Sequence, residues 1–221
     1  MMIKTALQIN PERDCTLCPR LKDFRDQNRE KFPDKWNAPV PAFGSLDSEL
    51  LIVGLAPGLK GANFSARPFT GDYAGDLLYP TLIKTGFAKG NYGAHIDDGL
   101  IMTNARITNA VRCVPPQNKP TTTETKNCLP FLKAEIKAMP NLKVILALGG
   151  ISHKACLQTL GYKQSAFKFA HNALYDVVCD ETQHALKLIN SYHCSRYNTN
   201  TGRLTEEMFM DVFKTIKKAL P

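Results

Sequence analysis

Short apolar runs alternate along this chain with polar stretches marked by glycine and proline, and the runs read as buried strands and amphipathic helices. "ELLIVG" (49–54) is a fully buried strand stopped by glycine. "GDLLYPTLIKTGF" (75–87) is helix-like, with Pro80 expected to bend or interrupt it. "DGLIMTNARI" (98–107) reads as a second strand. In "TTTETKNCLPFLKAEIKAM" (121–139), Thr121 and Glu124 have the spacing of a capping box. "KVILALGG" (143–150) is the clearest buried strand, "ISHKACLQTLG" (151–161) a helix, and "YDVV" (175–178) and "ALKLINSYH" (185–193) short strands. Phe209, Val212, Phe213, Ile216 and Leu220 fall at helical spacing and close the chain with one apolar face. The first 45 residues are polar and dotted with proline, and no element is assigned there.

Strand and helix segments alternate, which predicts an α/β fold, a three-layer αβα sandwich with helices on both faces of a central, mostly parallel sheet. With no repeat and no low-complexity linker, residues 1–221 are read as a single domain. Gly54, Asn109, Gly149 and His193 each stand at or just past a predicted strand end, where ligands bind in open α/β sheets.

Composition narrows the class. No apolar run approaches the roughly 20 residues of a membrane helix, and "MMIKTALQINPERDC" lacks a signal-like apolar stretch. A cytoplasmic protein without a membrane partner is therefore expected. The net charge of +8 suits a polyanionic partner. Seven cysteines cannot all pair within one chain, so metal ligands, buried thiols or a reactive thiol are the better readings.

The loop "GLAPGLKGANFSARPFTGD" (54–72) is not a phosphate loop. Lys60 precedes a glycine with no hydroxyl after it, and Gly54, Gly58 and Gly61 have the wrong offsets for a dinucleotide fingerprint. A bent loop bearing Pro57, Pro68 and Phe69 remains, with Phe69 placed either in the core or against a flat ring. Asp72, the first carboxylate after the strand, either caps the following helix or points into a pocket.

Cys15 and Cys18 have two residues between them, and Cys113 and Cys128 have fourteen. Four thiolates converging on one centre are compatible with zinc or with iron–sulfur, and spacing does not separate the two. A thioredoxin-like redox pair is disfavoured because this CxxC does not open a helix after a strand. Cys156 and Cys179 lie in apolar contexts. Cys194 is beside His193, but adjacent residues rarely face one another as a nucleophile pair.

Three blocks then carry a resemblance: "GLAPGLKGANFSARPFTGDYAG", "ITNAVRCVPPQNKP" and "SYHCSRYNTNTGRLT". With the four cysteines, they resemble the iron–sulfur uracil-DNA glycosylases of prokaryotes, more closely the type B group, family 5. The resemblance implies a [4Fe-4S] cluster on Cys15, Cys18, Cys113 and Cys128, structural in role. It implies a monofunctional DNA glycosylase of base-excision repair, acting on DNA containing uracil, hypoxanthine or modified pyrimidines, with a monomer the expected state. A base inside duplex DNA must be flipped into a pocket before its glycosidic bond is reached.

By the same resemblance, Phe69 stacks on the base and Asn109 reads its edge with an amide that both donates and accepts. Asn118 positions water, His193 approaches O2 of the base, and Asp72 activates water or stabilises the oxocarbenium ion. Gly54, Ala56, Pro57 and Gly58 are expected to line the base site. Lys60, Arg67, Lys119, Arg196 and Arg203 are expected on a phosphate-binding face. Two departures stand out. Leu55 and Ala56 occupy places where several glycosylase families carry an acid or asparagine, as family 5 itself does not. "HCSRY" replaces the usual HPS sequence, so Cys194 and Arg196 stand where stiffening residues are expected. A damaged-DNA-binding protein without chemistry and a zinc-stabilised α/β hydrolase are the rival readings.

Overall fold

Three fully buried strands of five residues, a longer strand and a more exposed edge strand organise the molecule. The computed structural model describes residues 8–220; the opening MMIKTAL, read above for a leader, lies outside the described residues. Strands β1 (Leu50–Gly54), β4 (Ala105–Asn109), β5 (Val144–Leu148), β6 (Leu174–Val178) and β7 (Ala185–Ser191) form one sheet in the order β4-β1-β5-β7-β6. The first four in that order are parallel, and β6 runs antiparallel at the edge. The sheet is central and mostly parallel, as expected.

Strand alternation divides the core into two layers. Leu50, Ile52, Val144, Leu146 and Leu148 face one side, where Leu78 and Leu82 of α3 (Tyr73–Lys84) and Phe209, Val212, Phe213 and Ile216 of α7 (Glu206–Ala219) pack. Leu51, Val53, Ile145 and Ala147 face the other, against Leu132 and Ile136 of α4 (Thr122–Lys137) and Leu157 of α5 (Gly150–Thr159). The capping box of α4 forms with both of its hydrogen bonds. Among the described residues no helix is long and apolar enough to cross a membrane.

Three local expectations are corrected. Pro80 does not interrupt α3: Leu78, Tyr79 and Leu82 are buried around it, and that packing outweighs one lost backbone bond. The single strand expected over 98–107 is two. β3 (Ile101–Met102) pairs with β2 (Ala88–Lys89) in a separate ribbon, and only β4 joins the main sheet. Asn104 breaks the run, because its amide bonds the Glu49 backbone N–H at 2.9 Å and its carboxylate at 2.8 Å. The polar N-terminal segment contains α1 (Pro19–Lys31), whose proline sits in the first turn directly after Cys18.

The C-terminal ends of the parallel strands meet at one edge. Gly54 lies opposite Asn109 in register, and the Gly149 N–H donates to Ser191 O at 2.8 Å. The four predicted strand-end positions therefore share one rim.

Candidate active site and four-cysteine cavity

The loop after β1 contains a short helix, α2 (Ala62–Ser65), and then brings Phe69 back over the strand end. Phe69 has φ of 56°, the left-handed region that is uncommon for a non-glycine residue. Its surroundings over-determine that conformation. Tyr92 Oη donates to Phe69 O at 3.2 Å, and Tyr79 Oη donates to Pro68 O. A Cβ on Gly75 would fall 1.9 Å from Phe69 O, so only glycine admits the loop at that height. The Phe69 ring reaches Gly54, where an added Cβ would lie 2.5 Å from Phe69 Cζ and 2.4 Å from Asn109 Oδ1. Ring and amide thus converge over a residue without a side chain. Phe69 is a core residue, 5% exposed, and its ring also lines a pocket.

Arg67 is not on a phosphate-binding face. It is 3% exposed and forms a bidentate ion pair with Asp98 at 2.9 and 2.6 Å. Its Nε donates to Thr70 Oγ1 at 2.7 Å, and its guanidinium lies over the rings of Phe43, Tyr79 and Tyr92. Hydrogen bonding to Arg67 holds the Asp98 carboxyl far below the ordinary carboxylate range. Arg67 is a strut beneath the loop that presents Phe69.

His193 follows β7 and faces Phe69, with ring centroids 6.0 Å apart and planes 30° from parallel. Burial pushes its imidazole down to about 4, so the ring is neutral at neutral pH. Asn198 Nδ2 donates to His193 O at 2.8 Å, and Ser195 caps α6 (Arg196–Asn200), a helix absent from the sequence reading. Cys194 is fully buried in the core, where burial raises its thiol well above the ordinary range. It is a packing residue, and the HCSRY segment is stiffened by Cys194, Asn198 and a short helix.

Asp72 caps α3 through Gly75 N–H at 3.2 Å and also lines the pocket, so its two readings coexist. Burial raises its pKa, while the backbone N–H groups of Gly75 and Ala74 draw it back toward the ionised form. The inner pocket is lined by Ala56, Pro57, Phe69, Asp72, Asn109 and His193 among others. Its mouth adds Leu55, Gly58, Tyr73, Asn118, Ser195 and Arg196. Asn118 sits in an exposed turn with φ of 56° and reaches the mouth without entering the inner pocket.

Cys15, Cys18, Cys113 and Cys128 line one cavity, with Leu17, Leu21, Lys22 and Phe131 among its walls. Cys18 precedes the first turn of α1, and Cys128 projects from α4. No group of three or more His, Cys, Asp or Glu among the described residues is drawn together as a single-ion site. The four thiols are neighbours around a cavity. Burial pushes Cys113 up to about 12 and Cys128 up to about 11, so ligation there would have to displace protons. Ala56 packs against the apolar group that contains Leu21, Cys113, Cys128 and Phe131, and it also lines the inner pocket.

The description "Uracil DNA glycosylase superfamily" matches residues 41–217. The chain belongs to that superfamily. It is 40% identical over 209 residues to the Type-5 uracil-DNA glycosylase of Thermus thermophilus, covering 92% of this chain and 93% of the relative. A Type-5 uracil-DNA glycosylase of Mycobacterium tuberculosis is 39% identical over 212 residues, covering 92% and 77%. That of Pyrobaculum aerophilum is 35% identical over 205 residues, covering 91% and 87%. The family expectation drawn from the three blocks is borne out.

On this superfamily fold, Lys60, Lys119, Arg196 and Arg203 are exposed, and none of them pairs with a carboxylate among the described residues. Arg196 lies over Tyr73 at 5.1 Å and Arg203 over Tyr192 at 4.7 Å. The sequence reading missed Tyr92, Gly75 and the Arg67–Asp98 strut. Gly75, three residues past Asp72, carried the only legible sign, a glycine inside an otherwise helical run. A second cavity, lined by Gly149, Ser152, Phe169 and Arg203, also has His193 in its wall.

Proposed function

We propose that the chain is a monofunctional DNA glycosylase of base-excision repair. It flips uracil, and also hypoxanthine and modified pyrimidines, and hydrolyses the N-glycosidic bond. The observation that carries this reading is the convergence of Phe69, Asn109, His193 and Asp72 on one pocket at the C-terminal edge of the sheet. The flipped base stacks on Phe69 and is read by the Asn109 amide, which offers a donor and an acceptor to N3–H and O4. As the bond from C1′ to the base breaks, its electron pair moves onto the base. His193, a neutral imidazole, donates an N–H toward O2, where that negative charge develops. Asp72 receives a proton from the attacking water or stabilises the oxocarbenium ion, and Asn118 at the mouth orients that water. Lys60, Lys119, Arg196 and Arg203 hold backbone phosphates, and the chain acts as a monomer without a membrane partner.

A [4Fe-4S] cluster on Cys15, Cys18, Cys113 and Cys128 belongs to the same reading. The shared cavity and the buried Nε atoms of Arg25 and Arg112, without hydrogen-bond partners among the described residues, support the fit. When bound, the group supplies a four-point crosslink and no redox step.

The test uses duplexes holding one uracil or hypoxanthine, followed by hot alkali to cut abasic sites. Strand cleavage at the marked position is expected. Binding without cleavage at enzyme excess would overturn the reading in favour of a damaged-DNA-binding protein, which the apolar Leu55 and Ala56 at the mouth and the raised Asp72 carboxyl favour.

A further inference from the structure

Two buried guanidinium groups stand near the four-cysteine cavity, behind its lining residues, with more positive charge than their partners neutralise. Arg25 is 2% exposed, and its Nη1 donates to the backbone O of Cys15 at 3.0 Å. Its Nε stands 3.6 Å from Asp26 Oδ1, beyond hydrogen-bond reach, and Asp26 also serves Lys22 at 2.7 Å and Arg29 at 3.7 Å. Arg112, 1% exposed, directly precedes Cys113 and shares the Glu135 carboxylate with Arg106. One carboxylate therefore faces two guanidiniums. The Nε atoms of Arg25 and Arg112 both lack a hydrogen-bond partner among the described residues. A buried cation in that state is costly unless something anionic lies against it.

We propose that Arg25 and Arg112 are the charge partners of the thiolate-ligated centre. Their buried positive charge balances the net negative charge of four thiolates on an iron–sulfur core, and so governs how firmly the centre is retained and at what potential it is reduced. The inference rests on the cluster reading above.

The test compares anaerobically purified wild type with Arg25→Gln and Arg112→Gln, and with the charge-keeping Arg25→Lys and Arg112→Lys. Iron and sulfide per chain, the reduction midpoint and the rate at which visible absorbance is lost in air are measured on each loaded protein. Reduction adds negative charge to the site, so the Gln variants should shift the midpoint to more negative potential and bleach several-fold faster. The Lys variants should keep the wild-type midpoint. Should Arg112→Gln fail to fold because Glu135 loses a partner, Arg25→Gln carries the comparison. A loaded wild type with unshifted midpoints in the Gln variants overturns the charge role alone, as does equal cluster loss in Lys and Gln variants without a shift. A wild-type chain holding zinc and no sulfide overturns the cluster reading and this inference with it.

Discussion

Gly54 and Phe69 are packed so that no side chain fits between them: a Cβ on Gly54 would lie 2.5 Å from Phe69 Cζ. The same Cβ would lie 2.4 Å from Asn109 Oδ1, so one methyl group disturbs the ring and the amide together. Gly54→Ala is expected to cost about 1–3 kcal/mol of stability through overpacking. It should also lower kcat/KM on uracil-containing duplex by about 10²-fold, as misplacement of positioning groups does. Urea denaturation and single-turnover cleavage check the two effects separately, and unchanged cleavage would show that the contact does not shape the base site.

Breaking the strut under Phe69 should be severe. Arg67→Met leaves the Asp98 carboxylate buried and unpaired, with an expected loss of about 3–5 kcal/mol. The sign of the pH dependence follows from the lowered Asp98 pKa. The stabilisation is complete above the ordinary carboxylate value of 3.8 and is lost as pH falls below it toward the folded value. Urea midpoints of wild type and Asp98→Asn should therefore differ at pH 7 and converge in acid.

Asp72→Asn separates the two roles of that residue. Asparagine caps a helix about as well as aspartate, so the fold should persist. Without a carboxylate in the pocket, single-turnover cleavage should fall by about 10²–10⁴-fold with DNA binding retained. Full activity would leave Asp72 a helix cap alone.

His193 should not titrate near neutrality. Burial places its folded value at about 4, below the ordinary 6.5, so the unfolded chain binds more protons between those values. Stability should rise with pH from about 4 to 6.5 and then level, and His193→Gln should reduce that slope, leaving the part that belongs to His171, whose imidazole burial also lowers. In cleavage, kcat/KM should show no inflexion near 6.5 assignable to His193, which a pH profile of wild type against the variant tests.

Arg203→Ala should weaken binding to undamaged duplex and reduce the slope of log K against log salt by about 1. Arg67→Lys should leave that slope unchanged, because Arg67 is enclosed under the loop. Fluorescence anisotropy across a salt series distinguishes the two, and equal slopes in Arg203→Ala and wild type would remove Arg203 from the phosphate face.

The parallel-sheet architecture, the amphipathic helical faces and the family were legible along the chain. Those rest on local signals: short apolar strands, 3.6-residue periodicity, a capping box, and blocks of residues contiguous in the chain. The placing of Gly54, Asn109, Gly149 and His193 at one edge was legible too, since strand ends in a parallel sheet must share a side. The roles of Arg67 and Asp72 and the helix in the N-terminal segment emerge from contacts between distant parts of the chain. Arg67 and Asp98 are 31 residues apart, and Arg20 of α1 meets Glu124 across 104. No periodicity encodes such pairings, so a basic residue beside a binding loop reads as a phosphate contact until burial shows it to be a strut. Asp72 capping α3 while lining the pocket is likewise legible only once α3 and the loop are seen to meet at one carboxylate.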